Sequence, residues 1–273
     1  MPLSHAVNQS VLAYIRHCPI EFGKWRLSQW LEPRTNNFVG TMRTADGFLM
    51  NVETEDFIQR SIYLTGRWDE DVGRVIRSTL KADDLFIDIG ANVGYFSLLA
   101  SRLCRQVICF EPNPTCLKKL TSNVTLNNQG NIEIRPIGLA DERRKAEFNV
   151  RDSRNIGGGS LQHGDGETFS VQLDTLDDQL SNLSPKLIKI DIEGAEMLAL
   201  KGASKMLSKN NSPDVICEIS EYSLRQLGSS KDELFALMYG YGYKYQIISS
   251  IRTSNLSDTA PFFQYDVLFY KKH

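Results

Sequence analysis

The sequence carries no surplus of charge. Lys plus Arg number 31 against 33 Asp plus Glu in 273 residues, a formal net charge of −2. Proteins that coat DNA or RNA show a marked basic excess, so this balance argues against a nucleic-acid partner. Cysteine is sparse and odd in number: Cys18, Cys104, Cys109, Cys116 and Cys217. None forms a C-x-x-C pair, and most lie in apolar runs such as Val107-Ile108-Cys109-Phe110. That usage reads as reduced core cysteines in a cytoplasmic protein, against a disulfide or zinc framework. No apolar run is long enough for a transmembrane segment. The opening Met1-Pro2-Leu3-Ser4-His5 has no basic region followed by an apolar stretch, so no signal peptide is expected. Disorder is excluded as well, because 41% of the residues are apolar and net charge is close to zero.

What is present is an alternation of short apolar runs and helical patterns. Residues 1–36 read as helices and connections, with Val7, Val11, Tyr14 and Ile15 near helical spacing. They suit a cover on the main domain, a lid, or a homodimer surface. Residues 38–52 read as a hairpin about Ala45-Asp46-Gly47, since Asp-Gly is a strong turn signal. From residue 84 strands and helices alternate: Leu85 to Ile89, a helix from Tyr95, Val107 to Glu111, a helix from Thr115, then Ile132 to Ile137. The pattern resumes at Leu187 to Asp191, with a helix over 195–207, a strand over 215–219, a helix over 232–239, and strands over 245–249 and 266–270. This order predicts βαβ units and a parallel sheet. Residues 141–180 read as an excursion, with Gly157-Gly158-Gly159-Ser160 as a loop. The expected division is an accessory segment over 1–80 and a main domain over 81–273.

The run Gly90-Ala91-Asn92-Val93-Gly94 leaves a buried strand and opens a helix. Glycines there permit a tight turn and close approach of a ligand to the backbone. Glu111 ends the next strand, 23 residues after Asp88. An acid so placed can accept hydrogen bonds from ribose hydroxyls. The loop therefore predicts an adenosine-bearing cofactor. A dinucleotide prefers G-x-G-x-x-G, but Asn92 stands at the middle glycine and would crowd a pyrophosphate. Asp88 would repel phosphates. S-adenosylmethionine (SAM) has no phosphates and a cationic amino-acid end, and it fits both features. The same departure disfavours an NAD-dependent oxidoreductase.

Three ordered segments carry a resemblance: Asp88 to Ser97; Phe110-Glu111-Pro112-Asn113-Pro114; and Leu187 to Glu196 with its Asp191-Ile192-Glu193-Gly194-Ala195-Glu196 core. They resemble the FkbM family of SAM-dependent methyltransferases over roughly residues 66–222. The resemblance implies an α/β class I methyltransferase, Rossmann-like fold. Its sheet would have seven mostly parallel strands with the last reversed, here preceded by a helical and hairpin cap. It also implies methylation of a hydroxyl oxygen on a sugar, glycan or secondary metabolite. By resemblance Asp88, Gly90, Asn92 and Gly94 would line the methionine end of SAM; Ala91, in the same loop, and Tyr95, an aromatic at the loop-to-helix junction, are further cofactor-binding candidates. Glu111 would hold the ribose, Asn113 would lie beside the adenosine, and Asp141 would face the adenine edge. Asp191 would sit near the methyl group.

An alcohol needs a general base, or a metal that lowers its pKa, to act as a nucleophile. Asp191 and Glu193 alternate at a strand tip and would share a face if the strand ran on. Glu218 ends the neighbouring strand, so the three acids could hold Mg²⁺ or supply a base. His163, in the excursion, is a further candidate base. The bland counterpart for the acids is helix capping, open to Glu193 or Glu196. Two other functions compete: a non-catalytic SAM-binding scaffold, and methylation of an amine on a small molecule or nucleic acid. The stretch after Asp191 lacks the Pro-Pro-aromatic run used to hold a flipped base.

Overall fold

The computed structural model describes residues 10–16, 27, 31, 38–150, 157–159, 161, 166–248 and 263–271. The hairpin forms as β1 (Val39–Arg43) and β2 (Leu49–Glu53), paired antiparallel with Arg43 opposite Leu49. Along β2, Met50 and Val52 are buried while Asn51 and Glu53 face out, the period-2 pattern of a half-covered strand. Helix α1 (Phe57–Thr65) starts where the Asp56 side chain accepts from the Gln59 N–H. Helix α2 (Glu70–Thr79) is capped in the same way by Asp69.

Strands β3 (Leu85–Ile89), β4 (Gln106–Phe110) and β5 (Ile132–Arg135) follow, with helices α3 (Tyr95–Ser101) and α4 (Pro114–Leu126) between them. Later come β9 (Leu187–Ile190), β10 (Asp214–Ile219), β11 (Lys244–Ile247) and β12 (Tyr265–Tyr270). These seven make one sheet in the order β11-β12-β10-β9-β3-β4-β5. The central pairs are parallel, and β12 runs antiparallel to both its neighbours. All five residues of β3 are buried, as expected for a strand covered on both faces. Alternate side chains serve two cores. Ile87, Ile89, Ile188 and Ile190 join one. Phe86, Leu187 and Ile216 join the other, together with Met50 and Val52 of the hairpin and Ile76 of α2. The hairpin and first helices thus pack on the same sheet that carries the glycine loop. Residues 10–16 are helical, and Leu12 and Ile15 pack with Leu31 and Leu64. The Arg16 guanidinium donates to the Tyr63 carbonyl and lies 4.7 Å above its ring.

Two sequence expectations are corrected here. Residues 141–180 are not a bare excursion. Strands β6 (Gly138–Leu139), β7 (Arg144–Val150) and β8 (Glu167–Asp174) form a second sheet in the order β6-β8-β7. Its inner face carries Ala140, Phe148, Val171 and Leu173. The helix expected over 195–207 is broken into α6 (Glu196–Lys201) and α7 (Ser204–Leu207). At the break a Cβ on Gly202 would lie 2.0 Å from the Ala140 carbonyl oxygen, so the chain needs glycine where the break packs against Ala140. Short helices α5 (Leu176–Gln179) and α8 (Glu221–Gln226) were not foreseen, while α9 (Lys231–Gly240) was. Cys104, Cys109, Cys116 and Cys217 are buried free thiols, and Cys18 lies outside the described residues. Among the described residues no helix is long and apolar enough to cross a membrane.

Candidate active site

The carboxyl ends of β3, β4 and β9 open into one cleft enclosing about 910 Å³ of space, part of it open solvent. This is where parallel sheets present their ligand sites, because the loops diverge there. The glycine loop forms the floor. Gly90 has φ +80°, and a Cβ there would stand 1.9 Å from the Asp191 carbonyl oxygen. Glycine is therefore required where the β3 loop crosses the β9 tip. The Gly90 and Ala91 N–H groups both donate to the Phe110 carbonyl, at 3.0 and 3.2 Å. The Asn92 N–H donates to Glu111 Oε2 at 2.8 Å. These amides are engaged inside the protein, so the loop offers no cradle of free N–H groups for a pyrophosphate.

Glu111 is 5% exposed and lines the cleft. Its Oε1 accepts from the Asn113 N–H at 2.9 Å. Burial pushes its carboxyl up to about 7, against these amide bonds, which favour the anion. A carboxylate has about four acceptor positions, so a diol can still be held there. Beyond Glu111 the wall is apolar, with Pro112, Ile137, Leu139, Phe148 and Leu173, and suits a flat heterocycle. Gly157 and Gly159 also line the cleft. A Cβ on Gly157 would fall 2.0 Å from Asn92 Nδ2, and one on Gly159 would fall 2.4 Å from the Phe148 ring. Gly157 thus lies against the loop and Gly159 against the second sheet, and neither position has room for a side chain.

The opposite end is acidic. Asp191 and Glu193 both line the cleft. They do so on a turn, not on a continued strand: β9 ends at Ile190 and Glu193 has φ +54°. The turn is held by Glu196, whose Oε1 accepts from the Ile192 and Gly194 N–H groups at 3.0 and 3.2 Å. Burial raises Glu196 to about 7. Glu196 thus braces the turn before the helix, and the helix itself, capped at Ala195, has no side-chain cap hydrogen bond. Lys189, which sequence reasoning passed over, is 5% exposed at the centre of this end. Its Nζ donates to Asp191 Oδ2 at 3.0 Å and to the Gly90 carbonyl at 3.3 Å. It also lies 3.8 Å from Asp88 Oδ1 and 5.4 Å from the Phe96 ring centre. Burial alone would lower this ammonium, but Asp191 and Asp88 outweigh it and hold it charged. The sequence signal was a lysine inside the apolar run Leu187 to Ile190.

Gly90, Ala91, Asn92, Tyr95, Glu111 and Asp191 all line the cleft, as does Glu193. Four other candidates stand elsewhere. Asp88 is fully buried beneath α3, with Oδ2 accepting from Ser97 Oγ at 2.6 Å and Oδ1 making no hydrogen bond. Asn113 is the buried cap of α4, accepting from the Thr115 N–H. Asp141 is a surface partner of Arg144 at 2.8 Å and does not line the cleft. Gly94 lies behind the lining, with φ +92° and Leu120 against it. Tyr95 donates its hydroxyl to Asp46 Oδ2 at 2.6 Å and so ties the hairpin turn to the cleft. Glu218 lines an adjoining cavity, and Gln264 Nε2 donates to its Oε1 at 2.8 Å. Among the described residues no three His, Cys, Asp or Glu side chains are grouped to hold a metal ion, so Asp191, Glu193 and Glu218 do not form a ligand set. His163 lies outside the described residues.

The strand order, the single reversed strand, and a glycine loop beside a strand-tip acid define a Rossmann-like SAM-dependent methyltransferase. The donor set fits that cofactor: a diol acceptor in Glu111, an apolar slot, and an acidic end with no free phosphate cradle. The chain belongs to the FkbM methyltransferase domain family, whose model matches residues 88–245. It is 24% identical over 192 residues to the hexuronic acid methyltransferase AglP of Haloferax volcanii, covering 68% of this chain and 78% of that one. It is 26% identical over 164 residues to methyltransferase sdnD of Sordaria araneosa, covering 47% of this chain and 63% of that one. A solved FkbM methyltransferase from Methylobacillus flagellatus KT superposes with a TM-score of 0.47 at 16% identity, covering 77% of this chain and 52% of that one.

Proposed function

We propose that this protein transfers a methyl group from SAM to a hydroxyl oxygen of a sugar, a glycan or a secondary metabolite. The observation that carries the reading is the placement of Asp191 and Glu193 in the same cleft as Glu111 and the Gly90 loop. Bound SAM supplies an activated methyl group, so the chain's task is alignment and removal of one proton. An alcohol is a weak nucleophile until that proton has somewhere to go. Asp191 or Glu193 is the acceptor for it, and Lys189 holds the Asp191 carboxylate in place. The relative named as acting on hexuronic acid supports a sugar acceptor over an amine.

Calorimetry should show SAM binding to the parent and a loss of about tenfold or more in Glu111→Ala, which removes a charge-assisted acceptor. Asp191→Asn and Glu193→Gln should keep SAM affinity, and at least one should lose methyl transfer to hydroxyl acceptors. Full transfer by both variants removes these carboxylates from the mechanism. Transfer to amines alone refutes the oxygen assignment.

A further inference from the structure

A second cavity, of about 390 Å³ including open solvent, adjoins the cleft at its acidic end. Trp68, Phe96, Lys189 and Asp191 line both, so the two spaces share a wall and meet at the proposed base. The new cavity has an apolar side made by Trp68, Phe96 and Val72. Its polar side holds Gln264 and the carboxyls of Asp69, Asp191, Glu218 and Asp266. Aromatic faces beside carboxyl and amide groups match a ring that shows C–H on its faces and hydroxyls on its rim.

The wall has a definite charge sense. Its lining contains four acids and one cation, with no arginine or histidine among the described residues. The one cation is already committed, because Lys189 is enclosed by Asp191, Asp88 and the Gly90 carbonyl. Nothing in this lining is left to neutralise a carboxylate on the acceptor. Burial, with Asp191, Glu193 and Asp266 nearby, pushes the Glu218 carboxyl well above the usual carboxylate range. In its protonated form that group offers an O–H donor to a hydroxyl or ring oxygen.

We infer that this cavity is the acceptor's compartment and that it takes a neutral polyhydroxylated ring of monosaccharide size while refusing one that carries a carboxylate. The inference rests on the oxygen-methylation reading above and narrows its substrate class. Discrimination comes from placing like charges together, which costs several kcal/mol when solvent is excluded.

The test is a set of methyl hexosides, each matched with its methyl hexuronoside, assayed by transfer of labelled methyl from SAM at neutral pH. The neutral member should show a kcat/KM at least about tenfold higher, the smallest preference expected from one uncompensated charge contact. Asp266→Asn should narrow that ratio by about threefold or more, by improving the uronoside, whereas Glu218→Gln replaces one neutral donor by another and should leave it within about twofold. SAM affinity by calorimetry checks that each variant is folded. Equal or better turnover of the uronoside overturns the inference and leaves oxygen methylation standing, as does a ratio unmoved by Asp266→Asn. Turnover of neither sugar class, with SAM binding intact, overturns the inference and leaves methylation of a non-sugar hydroxyl standing.

Discussion

Lys189→Met isolates the charge at the centre of the site. The ammonium lies 3.0 Å from Asp191 Oδ2 and 3.8 Å from Asp88 Oδ1. With an effective dielectric of about 20, those distances correspond to about 5 and about 4 kcal/mol of attraction before desolvation is counted. Asp191 is about one-third exposed and its share is screened, whereas Asp88 is wholly buried. Removing the lysine leaves Asp88 with Ser97 as its only hydrogen-bond partner. Breaking a buried pair from one side costs about 3–5 kcal/mol, because the remaining charge is uncompensated. Urea unfolding near pH 7 should show a loss of that size. Burial already raises Asp88 despite Lys189, so without the lysine its carboxyl takes up a proton more readily and the loss should shrink in mild acid. Adding Asp88→Asn should recover at least about half of the deficit, since no buried anion then remains. A loss under about 1 kcal/mol, or no recovery in the double variant, refutes this account of the buried pair.

Glu196→Gln tests the turn that carries Asp191 and Glu193. Its carboxyl rises from 4.5 to about 7 on folding, so the stabilisation is full below about 4.5 and is lost as the pH rises to about 7. The span corresponds to roughly 3 kcal/mol, and denaturation at about pH 5 and about pH 8 should show that the variant lacks this part of the fall. Gly90→Ala should cost more than about 3 kcal/mol, from left-handed strain and overlap with Asp191, and a denaturation midpoint equal to the parent's refutes it. Asn123→Ala removes a buried side chain that accepts from the Asn51 N–H at 2.9 Å and donates to the Val93 carbonyl at 2.8 Å. The buried Val93 carbonyl and the half-buried Asn51 N–H lose partners, so stability should fall by about 1–3 kcal/mol, and calorimetry should show weaker SAM binding because Val93 lies in the loop.

The parts of the fold that could be read in advance are those with local causes. The run Leu85 to Ile89 is buried on both faces, and its length and glycine exit mark a parallel strand without outside help. Asp46-Gly47 marks the hairpin for the same kind of reason, a turn with φ +87° at Gly47. The second sheet was missed although its signal was present. Ala146, Phe148 and Val150 alternate with polar residues, as do Phe169, Val171 and Leu173, but the strands are separated by the glycine-rich stretch and pair across it. The break at Gly202 has no local signal, since it follows from contact with Ala140 in another element. The site divides in the same way. The loop and Glu111 are adjacent through neighbouring strand tips, which strand order predicts. Asp88 and Asn113 lie within motifs yet point inward, and whether a strand residue points to the cleft or to the core depends on which face the helices cover.

The two acids at about 7 show how one chemical device serves two ends of the cleft. Glu111 accepts from the amides of Asn92 and Asn113, and Glu196 accepts from those of Ile192 and Gly194. In each case a buried carboxyl pins a turn at a strand tip through two backbone N–H groups. Burial alone would make either acid a poor anion, and the amides pull it back toward ionisation. The difference lies in exposure to the cleft. Glu111 reaches the lining and keeps acceptor capacity for a ligand, while Glu196 stands behind it and only shapes the turn. In Glu193-Gly194-Ala195-Glu196 the two acids therefore divide the work. The second fixes the backbone, and the left-handed residue it stabilises, Glu193, is the one turned into the cleft. A motif with two acids need not mean two ligands: here one acid lines the cleft and the other braces its turn.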